Sequence, residues 1–221
     1  TEILRGKLRA PADRELLDQT ATGARRVSAI IRELISFSHK TVVEVAPMDV
    51  RPALRAFIEE LRPTLPPAIE LAERLPPDLW PVAVAPEQLR RILSELCTNA
   101  REAMPQGGML VLTAANEDLP ARSDAIDATA KGGRFVRIAV EDTGCGIRPE
   151  NLARLFDPFF TTKAAGHGPG LGLPVVSGLV HSCEGAVTVA SEPERGATFH
   201  VLLPAAIHDD ASGSRKGSLP P

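Results

Sequence analysis

The segment that most restricts the fold is Glu87 to Met104. There Leu89, Ile92, Leu93, Leu96 and Ala100 recur at steps of three and four. That spacing gathers apolar residues on one face of a helix. A helix with one long apolar stripe must lay it against another element, and its neighbours in sequence are strand-like. Ile69 to Leu75 alternates apolar and polar residues, Met109 to Ala115 follows the Gly107-Gly108 turn, and Arg134 to Glu141 alternates again. Ala186 to Ala190 and Thr198 to Leu203 complete the strand set, and Ala53 to Leu61 and Leu173 to His181 add two helices. The pattern predicts an α+β packing, a mixed sheet with helices on one face.

Outside this block the chain changes character. Leu17, Ala21, Ala24, Val27, Ile31, Leu34 and Phe37 form a second stripe. It predicts a long helix over residues 13–43, entered through a break at Pro11 to Asp13 and preceded by a short helical stub. Such a helix buries its stripe either against a second copy, in a bundle, or on its own chain. Residues 117–133 are polar and read as a long hairpin loop, and residues 205–221 read as a disordered tail or linker. The expected organisation is therefore a helical segment over 1–46, a folded domain over 47–204 and the tail.

Bulk properties exclude several classes. With 221 residues, of which 43% are hydrophobic, the chain can bury one good core and a smaller helical element. A net charge of −3 does not suit a protein that coats nucleic acid. No apolar run approaches the roughly 20 residues that span a bilayer, and Thr1 to Arg5 lacks a signal-peptide layout. Cys97, Cys145 and Cys183 have no metal spacing and form no evident disulfide set. A cytoplasmic setting, with no membrane contact by this segment, is the simplest expectation.

Four short segments carry chemistry. Glu95 and Asn99 are four apart, so on a helix they share a face. A carboxylate and an amide oxygen there can help hold a hydrated divalent cation, although an ordinary exposed helix face reads the same way. Asp142-Thr143-Gly144-Cys145-Gly146-Ile147 follows a strand. Its glycines allow close approach to a flat ligand and its carboxylate can accept from an exocyclic amine, while a plain strand-end turn is the alternative. Leu155-Phe156-Asp157-Pro158-Phe159-Phe160-Thr161-Thr162-Lys163 anchors a loop with aromatics and ends on a cation. Gly166-His167-Gly168-Pro169-Gly170-Leu171-Gly172-Leu173 leads into a helix. Alternate glycines before a helix N-terminus can cradle phosphate, yet no Gly-Lys-Ser/Thr follows, so this is not a Walker loop. A flexible linker is the bland reading.

The order and spacing of these segments resemble one ATPase superfamily, which includes histidine kinases, DNA gyrase, a class of heat-shock chaperones and a mismatch-repair ATPase. Asp157 to Lys163 and Gly170 to Leu173 look like the histidine-kinase forms of two of its boxes. Ser191 to Phe199, ending at Leu203-Pro204, looks like the final strand pair. Arg32 to Ser38 resembles the end of a dimerisation helix, and Asn99 to Met104 the form found in nitrogen-regulation-type kinases. The resemblance covers about residues 13–204.

It implies a two-layer Bergerat-type α/β sandwich holding ATP and Mg²⁺, preceded by part of a dimerisation hairpin. By matching positions, Asn99 would be a Mg²⁺ ligand and Glu95 would orient the metal shell or polarise the attacking group. Asp142 would accept from the adenine amine, with Gly144, Gly146 and Ile147 beside the base and Thr198 supporting it from the next strand. Phe160, Thr161 and Lys163, with Gly168, Gly170, Leu171, Gly172 and Leu173, would serve the phosphates, and residues 148–172 would be the lid.

Departures from the family pattern are specific. Pro169 removes one backbone donor. Glu102 stands where many kinases carry lysine, which leaves Arg101 or Lys163 to meet phosphate. None of His39, His167, His181, His200 and His208 lies in a histidine box. The box would fall shortly before Thr1, as in a fragment of a longer kinase.

The resemblance thus implies an ATP-dependent protein histidine kinase core. Its partners would be a second copy through residues 13–43 and the receiver domain of a response regulator. The alternatives are a serine kinase or ATPase of the same fold, or a nucleotide-binding scaffold that no longer transfers phosphate.

Overall fold

The computed structural model describes Gly23 and residues 46–120, 132–162 and 170–206. The chain divides into two compact units, one of Thr1–Glu44 with Ala164–Pro169, the other of Val45–Lys163 with Gly170–Pro221. In the first unit Gly23 alone is described, within a helix. The rest of the 13–43 helix, His39, Lys163, Gly168 and the tail beyond 206, with His208, lie outside the described residues.

In the second unit, α1 (Val50–Leu61) starts where the Asp49 carboxylate accepts the Arg51 N–H at 3.0 Å, satisfying a donor that the helix leaves open. A 3₁₀ turn, Arg62–Thr64, leads to β1 (Ile69–Arg74). Helix α2 (Pro86–Ala103) begins on a proline, which loses no hydrogen bond at that position, and carries Glu87 in its first turn. Strands β2 (Gly108–Leu119) and β3 (Gly133–Asp142) follow, then the short α3 (Pro149–Leu152), α4 (Gly172–Ser182), β4 (Ala186–Ser191) and β5 (Ala197–Pro204).

The strands make one sheet in the order β1-β2-β3-β5-β4. β1 and β2 run parallel, as they must with α2 as the crossover between them, and the other pairs are antiparallel. The registers Leu112↔Val140, Val140↔Phe199 and Val189↔Phe199 set one apolar row across four strands. With Leu110, Ile138 and Val201 this face joins one core with Leu89, Ile92, Leu93 and Leu96 of α2 and Val176 and Val180 of α4. The α2 stripe is thus covered by the sheet, and the expected α+β arrangement is the one observed.

Two edges differ from expectation. β2 runs on through Asn116 to Leu119, pairing with Val136 to Gly133, so the strand pair continues into what read as loop. Polarity misled there. Glu117 and Arg137 pair diagonally across the strands at 2.7 Å, and Asn116 accepts the Trp80 N–H while donating to the Asp78 carbonyl, both at 2.8 Å. These polar side chains pair on the sheet instead of marking a turn. Both ends of the body also meet one residue: Val82 bridges Met48 on one side and Ala205 on the other. Among the described residues no helix is long and apolar enough to cross a membrane.

Candidate functional site

The site lies where the end of β3, the α2 helix and the start of α4 converge. Asp142, the last residue of β3, is 4% exposed and is the one polar or charged residue among the described residues that is buried. Its Oδ1 accepts the Gly144 N–H at 2.8 Å, and the Ala197 N–H also holds the carboxylate. Burial raises its pKa, opposed by these two N–H groups and helped by the neighbouring Glu141 charge. A carboxylate kept in a core at this cost points to a role beyond packing.

The turn after Asp142 is tied down on both sides. The Cys145 N–H donates to the Ala103 carbonyl at the end of α2 (3.1 Å), and a Cβ on Gly144 would stand 2.5 Å from that same oxygen. Gly146 has φ +66° and lies against the Glu192 carbonyl, leaving no room for a side chain. The Ser191 hydroxyl accepts the Ile147 N–H at 2.9 Å and donates to the Gly196 carbonyl at 2.7 Å. The Glu194 N–H closes onto the Cys145 carbonyl at 2.8 Å. Ile147 packs against the core.

Glu95 and Asn99 share one face of α2, as their spacing requires, and that face looks at the first residue of α4. A Cβ on Gly172 would stand 2.9 Å from Glu95 Oε2 and 3.7 Å from Asn99 Nδ2. The missing side chain therefore keeps the carboxylate, the amide and the α4 N-terminus together. Leu171 precedes the helix and its carbonyl accepts the Val175 N–H at 3.0 Å, and Leu173 packs on the core. The segment leading here is pinned at its base. The Phe159 N–H donates to the Gly170 carbonyl at 2.9 Å, both residues with φ of +68°. The Arg154 guanidinium sits over the Phe160 ring, 4.7 Å from its centre. Thr161 lies beyond it, exposed.

The structure thus brings together Glu95, Asn99, Gly170, Leu171, Gly172 and Leu173 on one side, and Asp142, Gly144, Gly146 and Ile147 on the other. Two expectations are corrected. Thr198 pairs with Glu141, and alternation along β5 sends it to the sheet face opposite Asp142. The β5 residue at Asp142 is Ala197, acting through its backbone. Arg101 is two residues past Asn99, about 200° around the helix. It lines the groove between α1 and α2, away from Gly172, and is not set to meet phosphate from there. Sequence reasoning also missed Ser191 and Ala103. Both act through strand register or a backbone carbonyl, which residue type does not announce.

A family model described as histidine kinase-, DNA gyrase B- and HSP90-like ATPase matches residues 84–207, and the chain belongs to this family. Its curated relatives are sensor kinases. One is the sensor kinase CckA of Brucella abortus (strain 2308), 35% identical over 189 residues, which are 84% of this chain and 20% of that protein. Another is the sensor histidine kinase ZraS of Escherichia coli (strain K12), 30% identical over 200 residues, 89% of this chain and 39% of that one. The chain thus spans well under half the length of either. Among solved structures it resembles full-length ShkA in complex with AMPPNP, with TM-score 0.60, 26% identity and coverage of 91% and 41%. It also resembles the mycobacterial sensor histidine kinase MprB, with TM-score 0.55, 25% identity and coverage of 72% and 96%.

Proposed function

We propose that this chain is the ATP-binding catalytic core of a two-component sensor histidine kinase. It would hold Mg²⁺·ATP and present the γ-phosphate to a histidine outside this chain, for relay to a response-regulator receiver domain. The observation that carries this reading is the meeting of Glu95 and Asn99 with Gly172 at the head of α4, with the turn that follows the buried Asp142 held against the end of the same α2 helix. Asp142 accepts from the adenine amine, and Gly144, Gly146 and Ile147 form the wall beside the base. The N–H groups at the start of α4, with Gly170, Leu171, Gly172 and Leu173, receive phosphate oxygens at the positive end of the helix. Phe160 and Thr161 border them, and Lys163 and Gly168 are assigned to the phosphates by their place in the sequence.

The residues present fit Mg²⁺. Asn99 offers an amide oxygen and Glu95 a carboxylate, and the described residues hold no group of three or more His, Cys, Asp or Glu that could cage a metal. Mg²⁺ commonly binds one or two protein groups and completes its shell with phosphates and water. Bound there, the ion would neutralise charge on the transferring phosphoryl group. Glu95 would orient the metal's water shell or polarise the attacking group.

The test is phosphoryl transfer. Incubated with γ-labelled ATP and Mg²⁺, the chain alone should stay unlabelled, while a helical hairpin bearing a histidine box should acquire acid-labile, base-stable label. Acid-stable label on serine would place the chain with same-fold serine kinases. Acid-labile label on this chain alone would make one of its five histidines an acceptor.

A further inference from the structure

On the side of α2 turned away from Gly172, an open groove of about 290 Å³ lies between α2, α1 and the 3₁₀ turn, close to the lower end of small-molecule sites. Phe57 and Cys97 are buried in its wall and Leu61 and Leu65 are half-buried there, so one wall is apolar and the rest is polar. Burial pushes the Cys97 thiol up to about 12, so this wall carries no charge at neutral pH.

The polar groups around the groove are unevenly matched. Arg90 and Glu60 pair with each other at 3.0 Å and cancel. Arg101, half-buried, is also among the lining residues and has no ion-pair or side-chain hydrogen-bond partner among the described residues. Ser94 and Thr98, one helical turn apart on α2, add hydroxyls that are likewise unpartnered among the described residues. The Thr64 hydroxyl is already spent on the Leu61 carbonyl, at 2.7 Å.

We propose that this groove binds a small monocarboxylate with an apolar body, an aryl or short-chain alkyl carboxylate. The body would lie on Phe57, Leu61 and Leu65, and the carboxylate would take the Arg101 guanidinium with the Ser94 and Thr98 hydroxyls. Arg101 presents planar paired donors that match a carboxylate. One cation without an ion-pair partner among the described residues, in a groove that Glu60 also lines, suits a single negative charge better than a phosphate dianion. A cationic ligand would meet Arg101 with like charge.

The experiment is an amide NMR titration of the whole chain with benzoate, and in parallel with phenyl phosphate and benzylamine. Benzoate should shift the amides of Leu61, Leu65, Ser94 and Thr98 along one saturable curve, and benzylamine should not. Arg101→Gln keeps the stem and the helix but loses the charge, and should weaken benzoate about tenfold, the scale of a charge-assisted hydrogen bond. Ser94→Phe, at an exposed helix position, should close the mouth and abolish the shifts while the spectrum stays folded. Equal shifts with benzylamine, tighter phenyl phosphate, or an Arg101→Gln variant that binds benzoate as the wild type does would each overturn the assignment. The readout is independent of nucleotide, so its failure and the failure of the kinase reading are separable.

Discussion

At the scale of single residues, Asp142 and Gly172 are where stability and function separate. The pKa of Asp142 is raised by burial, so the native state binds its proton more tightly than the unfolded chain. Its contribution to stability is greatest below the ordinary aspartate value and is lost as pH rises through the raised one. Asp142→Asn removes the buried charge and keeps an oxygen for the Gly144 N–H. Without nucleotide, its melting temperature should exceed that of the wild type at pH 8, by about 2–4 °C for each kcal/mol recovered. The gap should narrow as pH falls toward 4, and thermal melts across that range check it; a variant less stable at every pH would contradict the burial argument. Gly172→Ala puts a methyl group 2.9 Å from Glu95 Oε2 in a helix that tolerates alanine. Its circular dichroism melt should match the wild type, while Mg²⁺·AMPPNP affinity falls about tenfold, roughly 1.4 kcal/mol.

At the scale of elements, the turn after β3 is the part that needs outside support. The Ser191 hydroxyl takes the Ile147 N–H and gives to the Gly196 carbonyl, so one side chain joins the β3 turn to the β4–β5 turn. Ser191→Ala should cost about 1 kcal/mol in urea unfolding, as a half-buried donor and acceptor both lose their partner. Hydrogen exchange at Ile147 should quicken most; unaltered exchange there would show that the turn holds without the clamp.

This scale also shows what was legible beforehand. The α2 stripe, the strand alternations and the Asp142 glycine turn were readable, since periodicity and turn chemistry are local. The continuation of β2 through Leu119 was not, because Glu117 and Asp118 look like loop until Arg137 and Arg134 pair with them. Nor was the displacement of Thr198, since a step of one residue along β5 exchanges the two sheet faces. Ala197 carries no side-chain signal at all. Arg101 failed for the matching reason on a helix, where two residues turn a side chain away from Asn99.

At the scale of the whole molecule, the proposed nucleotide site falls in the described body, and the chain's remaining apolar stripe lies over residues 13–43. The spacing of Leu17, Ala21, Val27, Ile31 and Leu34 suits a helical bundle, and we expect self-association through it. Multi-angle light scattering should show a mass that rises with concentration toward a dimer. A strict monomer at high concentration would mean that the stripe packs on its own chain.

In the proposed site the carboxylate of Asp142 reads adenine, and binding also needs Mg²⁺. Calorimetric titration with AMPPNP tests this most directly, run with and without Mg²⁺ on the wild type and on Asp142→Asn. An asparagine offers a donor beside the acceptor and cannot hold the adenine amine in the same way. Binding by the wild type should depend on Mg²⁺, and the variant should lose most of that affinity. Equal affinity of the two proteins for Mg²⁺·AMPPNP would contradict this role of Asp142.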